Sequence, residues 1–143
     1  MLASDKERED DAGGANPNVD DWAKRALAED DPQSLIAAAV ALARCGENKH
    51  RGDLLSALLG VDVDNLTEPQ TLGLLRAYAL TFIRLGEPSE QLRNDILAEL
   101  DPLLPSDSAD INTELIRVLT YLQSPTVVSK AVKLIAERGV GYV

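Results

Sequence analysis

Cys45 and His50 stand five residues apart and are the only thiol and the only imidazole in the chain. A cysteine beside a histidine can become an activated nucleophile, the imidazole taking the thiol proton, and both side chains can ligate zinc. The surroundings point elsewhere. His50 falls in the polar turn "GENKHRG" (46–52), with no nucleophile evidently placed for it, so a solvated turn is expected. Cys45 closes an apolar helical phrase and is expected to be a small buried hydrophobe, not a reactive thiol. One thiol and one imidazole cannot assemble a zinc site of the usual kind, and one cysteine cannot close an intramolecular disulfide.

Carboxylates offer the next candidate. Asp62, Asp64 and Glu68 in "VDVDNLTE" (61–68) suggest calcium. A helix–loop–helix calcium loop begun at Asp62 needs Gly at its sixth position and Glu at its twelfth, and those places hold Thr67 and Gly73. The stretch is instead expected to be an acidic loop leading into a capped helix. Asn65-Leu66-Thr67 is formally a glycosylation sequon, relevant only on a eukaryotic secretory route.

Basic residues give the most interesting pattern. Tyr78 and Phe82 share a helix face at i, i+4 with Arg76 and Arg84 beside them. Such a cluster is either inter-helix packing fringed by solvated arginines or an aromatic–basic contact patch for a partner. Arg51, Arg93 and Lys130 recur near the starts of the second helices of successive helical pairs and could form a ladder for an acidic polypeptide. All five bases are candidate partner-binding residues. No residue is expected to be catalytic, to bind a cofactor or to hold a metal.

The elements that position these residues are helices. Asp31-Pro32 and Ser124-Pro125 each place a capping side chain before a proline at a first helical position. Thr67 and Gln70 form a capping box. Ile111, Leu115, Val118, Leu119 and Leu122 follow the i, i+4, i+7, i+8, i+11 stripe of an amphipathic helix. No stretch alternates like a strand, and an all-α chain is expected. Trp22, Ala26 and Leu27 read as a short apolar face on a leading helix near 20–30.

The helices repeat. "ALARCGE" (41–47) lies over "TFIRLGE" (81–87), and "RGDLLSAL" (51–58) lies over "RNDILAEL" (93–100), at offsets of 40 and 42. Cys45 thus matches Leu85, Arg51 matches Arg93, Asp53 matches Asp95, and Leu55 matches Leu97, so both leucines are expected to be buried. Arg51-Gly52-Asp53 spells an adhesion tripeptide, but Asn94 replaces Gly52 in the sister phrase. It belongs to the start of a second helix, where the acids suit the positive end of the dipole. "LTYL" (119–122) echoes "LTFI" (80–83), and "TVVSKAVKLI" (126–135) supplies the partner helix of a weaker third copy.

Helical pairs recurring at this spacing resemble the HEAT-repeat class of α-solenoid, whose period is about 40–47 residues. The resemblance implies an α-α superhelix of about three helical pairs plus a leading helix, the pairs sharing a continuous core. "ALAEDDP" (26–32) also lies over "ILAELDP" (96–102), so the leading helix is expected to be either the second half of a preceding repeat or an independent N-terminal cap helix. From "WAKRALAEDDPQS" through "LLRAYALTFIRLGEP" to "NTELIRVLTYLQSP", the order of phrases is similar to the helical region of large secreted planctomycete proteins. There a dehydrogenase-type β-propeller precedes the region and a c-type haem domain often follows. This resemblance implies a spacer or docking module of an exported parent, binding that parent's flanking domains or another polypeptide. The alternative is an accessory domain of a membrane-bound or haem-containing dehydrogenase, supplying contacts but no chemistry.

Composition agrees with close-packed helices: aromatics make up only 3% of the chain, so Ala, Leu, Val and Ile must form the interior. Net charge is −10, and seven of the 24 acids lie in the first 21 residues against two bases. So acidic a chain repels a phosphate backbone, and nucleic acid is not an expected partner. Residues 1–19 are expected to be a disordered acidic tail, 20–139 the repeat domain and 140–143 a short C-terminal tail. No apolar run is long enough for a membrane span, and "MLASDKERED" lacks the core of a signal peptide.

Overall fold

In the computed structural model, residues 17–138 are described; residues 1–16 of the tail expected at 1–19, and the expected tail at 140–143, lie outside them. The caps read from the sequence set most helix starts. Asp31 accepts from Ser34 N–H at 3.0 Å and holds Pro32 at the first turn of its helix. Thr67 and Gln70 exchange hydrogen bonds with each other's backbone N–H, at 3.3 and 3.0 Å. Ser89 and Ser108 cap two further helices by the same chemistry.

Seven α-helices follow among the described residues: α1 Pro17–Ala26, α2 Pro32–Cys45, α3 Arg51–Leu59, α4 Glu68–Leu85, α5 Glu90–Leu100, α6 Ala109–Tyr121 and α7 Val127–Arg138. Short 3₁₀ turns at Asn48–His50, Val63–Asn65 and Asp101–Leu103 complete the chain, and no strand occurs among the described residues. None of these helices is long and apolar enough to cross a membrane.

Packing sorts the helices into two rows. α4 lies between α2 and α6, while α3 packs on α5 behind them, and short connections join the rows. α1 packs on α2 and α7 on α6. Leu42, Leu54, Leu55, Leu58, Leu74, Leu75, Ile96, Leu100, Leu115 and Leu119 are fully buried where the rows meet, in one continuous core. The stripe expected from Ile111 faces this core, with Leu115, Val118, Leu119 and Leu122 buried and Ile111 half-buried. Tyr78 and Phe82 take the packing role: Phe82 stacks on Tyr121 of α6 at 5.0 Å between ring centroids, and Tyr78 is wholly buried.

Several expectations are corrected. α1 begins at Pro17, so residues 17–19 are helical. Its inward face is Val19, Ala23 and Leu27 at i, i+4, i+8; Trp22, one residue round the helix, is exposed. Ser124 does not cap α7. Its hydroxyl donates to Asp101 at 2.7 Å and accepts from Thr126 N–H, and the helix starts two residues beyond Pro125. Gln123, at φ 58°, is the left-handed residue that turns the chain there. Asp53 sits in the first turn of α3 as expected, but Asp95 lies mid-helix and accepts from Gln91 one turn back. Leu55 is fully buried, whereas Leu97 is only half-buried.

Cys45 is exposed, although its counterpart Leu85 is 3% exposed. The difference follows from neighbours. α4 is flanked by α2 and α6 in its row, while α2 has α4 and only the short α1. One place in the interior is polar without a partner. The Tyr78 hydroxyl and Glu99 Oε1 are both buried and make no hydrogen bond among the described residues. Burial pushes the Glu99 carboxyl up to about 7, and burial together with the Glu99 charge pushes the Tyr78 phenol above its ordinary range.

Candidate functional site

The closest gathering of chemistry-bearing side chains lies where α1 meets the turn after α2. His50 is buried there, against the expectation of a solvated turn. Glu47 N–H donates to its Nδ1 at 2.9 Å. That nitrogen therefore keeps its lone pair, and in the neutral ring Nε2 carries the proton and donates to Asp20 Oδ1 at 2.7 Å. Lys49 Nζ meets the other Asp20 oxygen at 3.1 Å and Glu47 at 3.7 Å. Hydrogen bonds from His50 and then Lys49 hold the Asp20 carboxyl below its ordinary value.

Cys45 borders the same small hollow of about 100 Å³ as Asp20 and His50. A thiol, an imidazole and a carboxylate side by side are the parts of a nucleophilic triad. Here both ring nitrogens are engaged, Nδ1 by a backbone donor and Nε2 by Asp20, so neither can accept the thiol proton without breaking a native bond. The cluster is a clasp joining α1 to the α2–α3 turn. Sequence reasoning missed it because the carboxylate comes from 30 residues upstream.

The acidic stretch is self-satisfied. Asp62 accepts from Asp64 N–H and from the Asn65 amide, and Glu68 accepts from the Ser108 hydroxyl at 2.6 Å. Among the described residues no group of three or more His, Cys, Asp or Glu side chains is placed to hold a metal ion.

The bases divide into two kinds. Arg51 Nη1 donates to the carbonyl of Leu85, the last residue of α4, at 2.9 Å. Arg93 Nη1 donates to the carbonyl of Leu122, the residue that caps the C-terminus of α6, at 3.0 Å. Lys130 Nζ donates to the carbonyl of Asp101, the residue that caps the C-terminus of α5, at 2.7 Å. Arg84 Nη2 donates to the carbonyl of Arg44, in the last turn of α2, at 3.2 Å. Each of these four helix C-termini thus receives a cation from another helix, which offsets the negative end of the dipole; at Leu85, Leu122 and Arg44 it also satisfies an otherwise open carbonyl, whereas the Asp101 carbonyl already accepts from Leu104 N–H at 3.3 Å. Gly86, at φ 100°, leaves room for Arg51: a β-carbon there would stand 2.9 Å from Nη1.

Arg76 is different. It is exposed on α4, and neither its guanidinium nor that of Arg44 makes an ion pair or hydrogen bond among the described residues. Both line an open groove of about 410 Å³ between α2 and α4. Its floor is Ile36 and Gly73, where a β-carbon on Gly73 would touch Ile36 at 3.2 Å, and Val40, Ala79, Leu80 and Ile83 form its walls. Ile83 is 75% exposed, the highest value for any large apolar residue described. Sequence reasoning picked out Arg76 and Arg84 but set them beside Tyr78 and Phe82. The apolar surface that Arg76 shares is instead contributed jointly by α2 and α4.

No protein-family model matches the chain, and neither a curated protein nor a solved structure matches it.

Proposed function

We propose that this chain is a HEAT-like array of about three helical pairs plus a leading helix, serving as a non-catalytic module that holds or spaces polypeptides. On this reading it works within a larger exported protein, against flanking domains or another polypeptide. The observation that carries it is the recurrence of one contact. Arg51 and Arg93, 42 residues apart, each reach from a second-row helix to the C-terminus of the next first-row helix. A contact repeated at that spacing is what stacking of similar units produces, since each unit meets only its neighbours. Stacking leaves long outer faces and inter-helix grooves as the surfaces open to a partner.

A selection from a displayed library of random peptides tests the reading. Purified chain should enrich a related set of peptides that bind saturably, and it should be isolated without a stoichiometric chromophore or transition metal. Failure to enrich any saturable binder, or a stoichiometric cofactor, would contradict it.

A further inference from the structure

The groove between α2 and α4 has the features of a built recognition surface. Eight residues line it, six are apolar or glycine, two are arginine, and none is acidic, in a chain whose net charge is −10. The cations on its rim make no hydrogen bond or ion pair among the described residues, unlike the four that close helix ends. Ile83 projects into solvent beside them, and the adjoining outer face of α2 is small, with Ala37 and Ala41 exposed.

We propose that this groove receives an acidic amphipathic helix from a partner polypeptide, an inference that rests on the module reading above. Apolar positions repeat along the groove as Ile36 and Val40 on one side and Leu80 and Ile83 on the other. These steps of four and three residues advance about 6 and about 4.5 Å along the axis, the spacing of side chains on one face of a helix. From Ile36 to Arg44 the groove runs about 12 Å, which accommodates roughly two turns of a partner. Apolar anchors of that helix would enter between α2 and α4, and carboxylates on its flanks would meet Arg44 and Arg76, where guanidinium and carboxylate can pair as a fork. Small Ala37 and Ala41 permit close approach. The groove is walled by two helices and offers no sheet edge, so an added β-strand has nothing to pair with.

The probe is a synthetic peptide of about 16 residues with leucines at i, i+3, i+4 and i+7 and glutamates on the flanks, compared with the same peptide carrying lysines for glutamates. Fluorescence anisotropy should show the glutamate peptide binding at least about tenfold more tightly, with the advantage falling as salt rises toward about 0.5 M. Arg76→Glu and Ile83→Asp, both at exposed positions, should keep the helical circular dichroism and each weaken binding by at least about tenfold. Equal affinity for the two peptides, binding unmoved by both substitutions, or no saturable binding up to about 1 mM would overturn the proposal. If displayed peptides bind but ignore Arg76 and Ile83, the groove assignment fails while the module reading stands. If nothing is enriched, the module reading itself fails.

Discussion

Arg51 and Arg93 start from the second row and end on backbone carbonyls of the first; Arg44 and Arg76 belong to the first row and line an apolar groove whose lining includes no acid. Both sets are arginines near helical apolar residues, and composition alone does not separate them. What separates them is whether a helix C-terminus lies within reach. A guanidinium that satisfies an open carbonyl belongs to the fold, and removing it exposes the carbonyl to loss of a charge-assisted bond. A guanidinium over an apolar groove contributes little to folding and is free for a partner. Substitutions on the two sides should therefore separate stability from binding.

The largest effect tests whether the side carrying the anchored arginines is a packed core at all. Leu55→Ala, at a fully buried site in the helix that Arg51 opens, should cost about 2–5 kcal/mol through the cavity left behind. Leu97→Ala, at the half-buried counterpart behind Arg93, should cost less, about 1–2 kcal/mol. Urea unfolding measures both. Equal costs would mean that the two pairs pack alike after all.

Next in size are the arginines themselves. Arg51→Ala and Arg93→Ala should each lower stability by about 1–3 kcal/mol, while Arg76→Ala should change it by no more than about 0.5 kcal/mol. Comparable losses at all three positions would erase the distinction between anchoring and open cations.

How much of this was legible in the sequence depends on how far apart the partners lie. Asp31 with Ser34 and Thr67 with Gln70 are separated by three residues, and their caps could be read directly. The stripe from Ile111 was equally plain, because a helix fixes its own periodicity. His50 could not be read, since its burial depends on Asp20 arriving from another helix. Neither could the role of Arg51, whose acceptor lies 34 residues downstream, although its recurrence at Arg93 was visible. Cys45 followed its aligned leucine in sequence but not in burial, because the two helices have different neighbours.

A smaller effect concerns pH. Glu99 shares α5 with Arg93, whose guanidinium is committed to Leu122, and its buried Oε1 has no partner. In the folded chain it holds its proton to about pH 7, against an ordinary value of 4.5. The folded state therefore binds more protons between those values, and stability falls as pH rises through the window. Half-exposure limits the loss to about 1–2 kcal/mol. Glu99→Gln should flatten the decline, so its gain over the parent chain should be larger at pH 8 than at pH 4.5 in urea melts. A gain that does not grow with pH would show that solvent relieves the carboxylate.

The most direct measurement is amide mapping by NMR as the glutamate-flanked peptide is added to the intact chain. Shifts should concentrate on α2 and α4 around Val40, Arg44, Arg76 and Ile83, leaving α3 and α5 near Arg51 and Arg93 unmoved. Shifts concentrated on α3 and α5 instead would contradict the division between anchoring and partner-facing arginines.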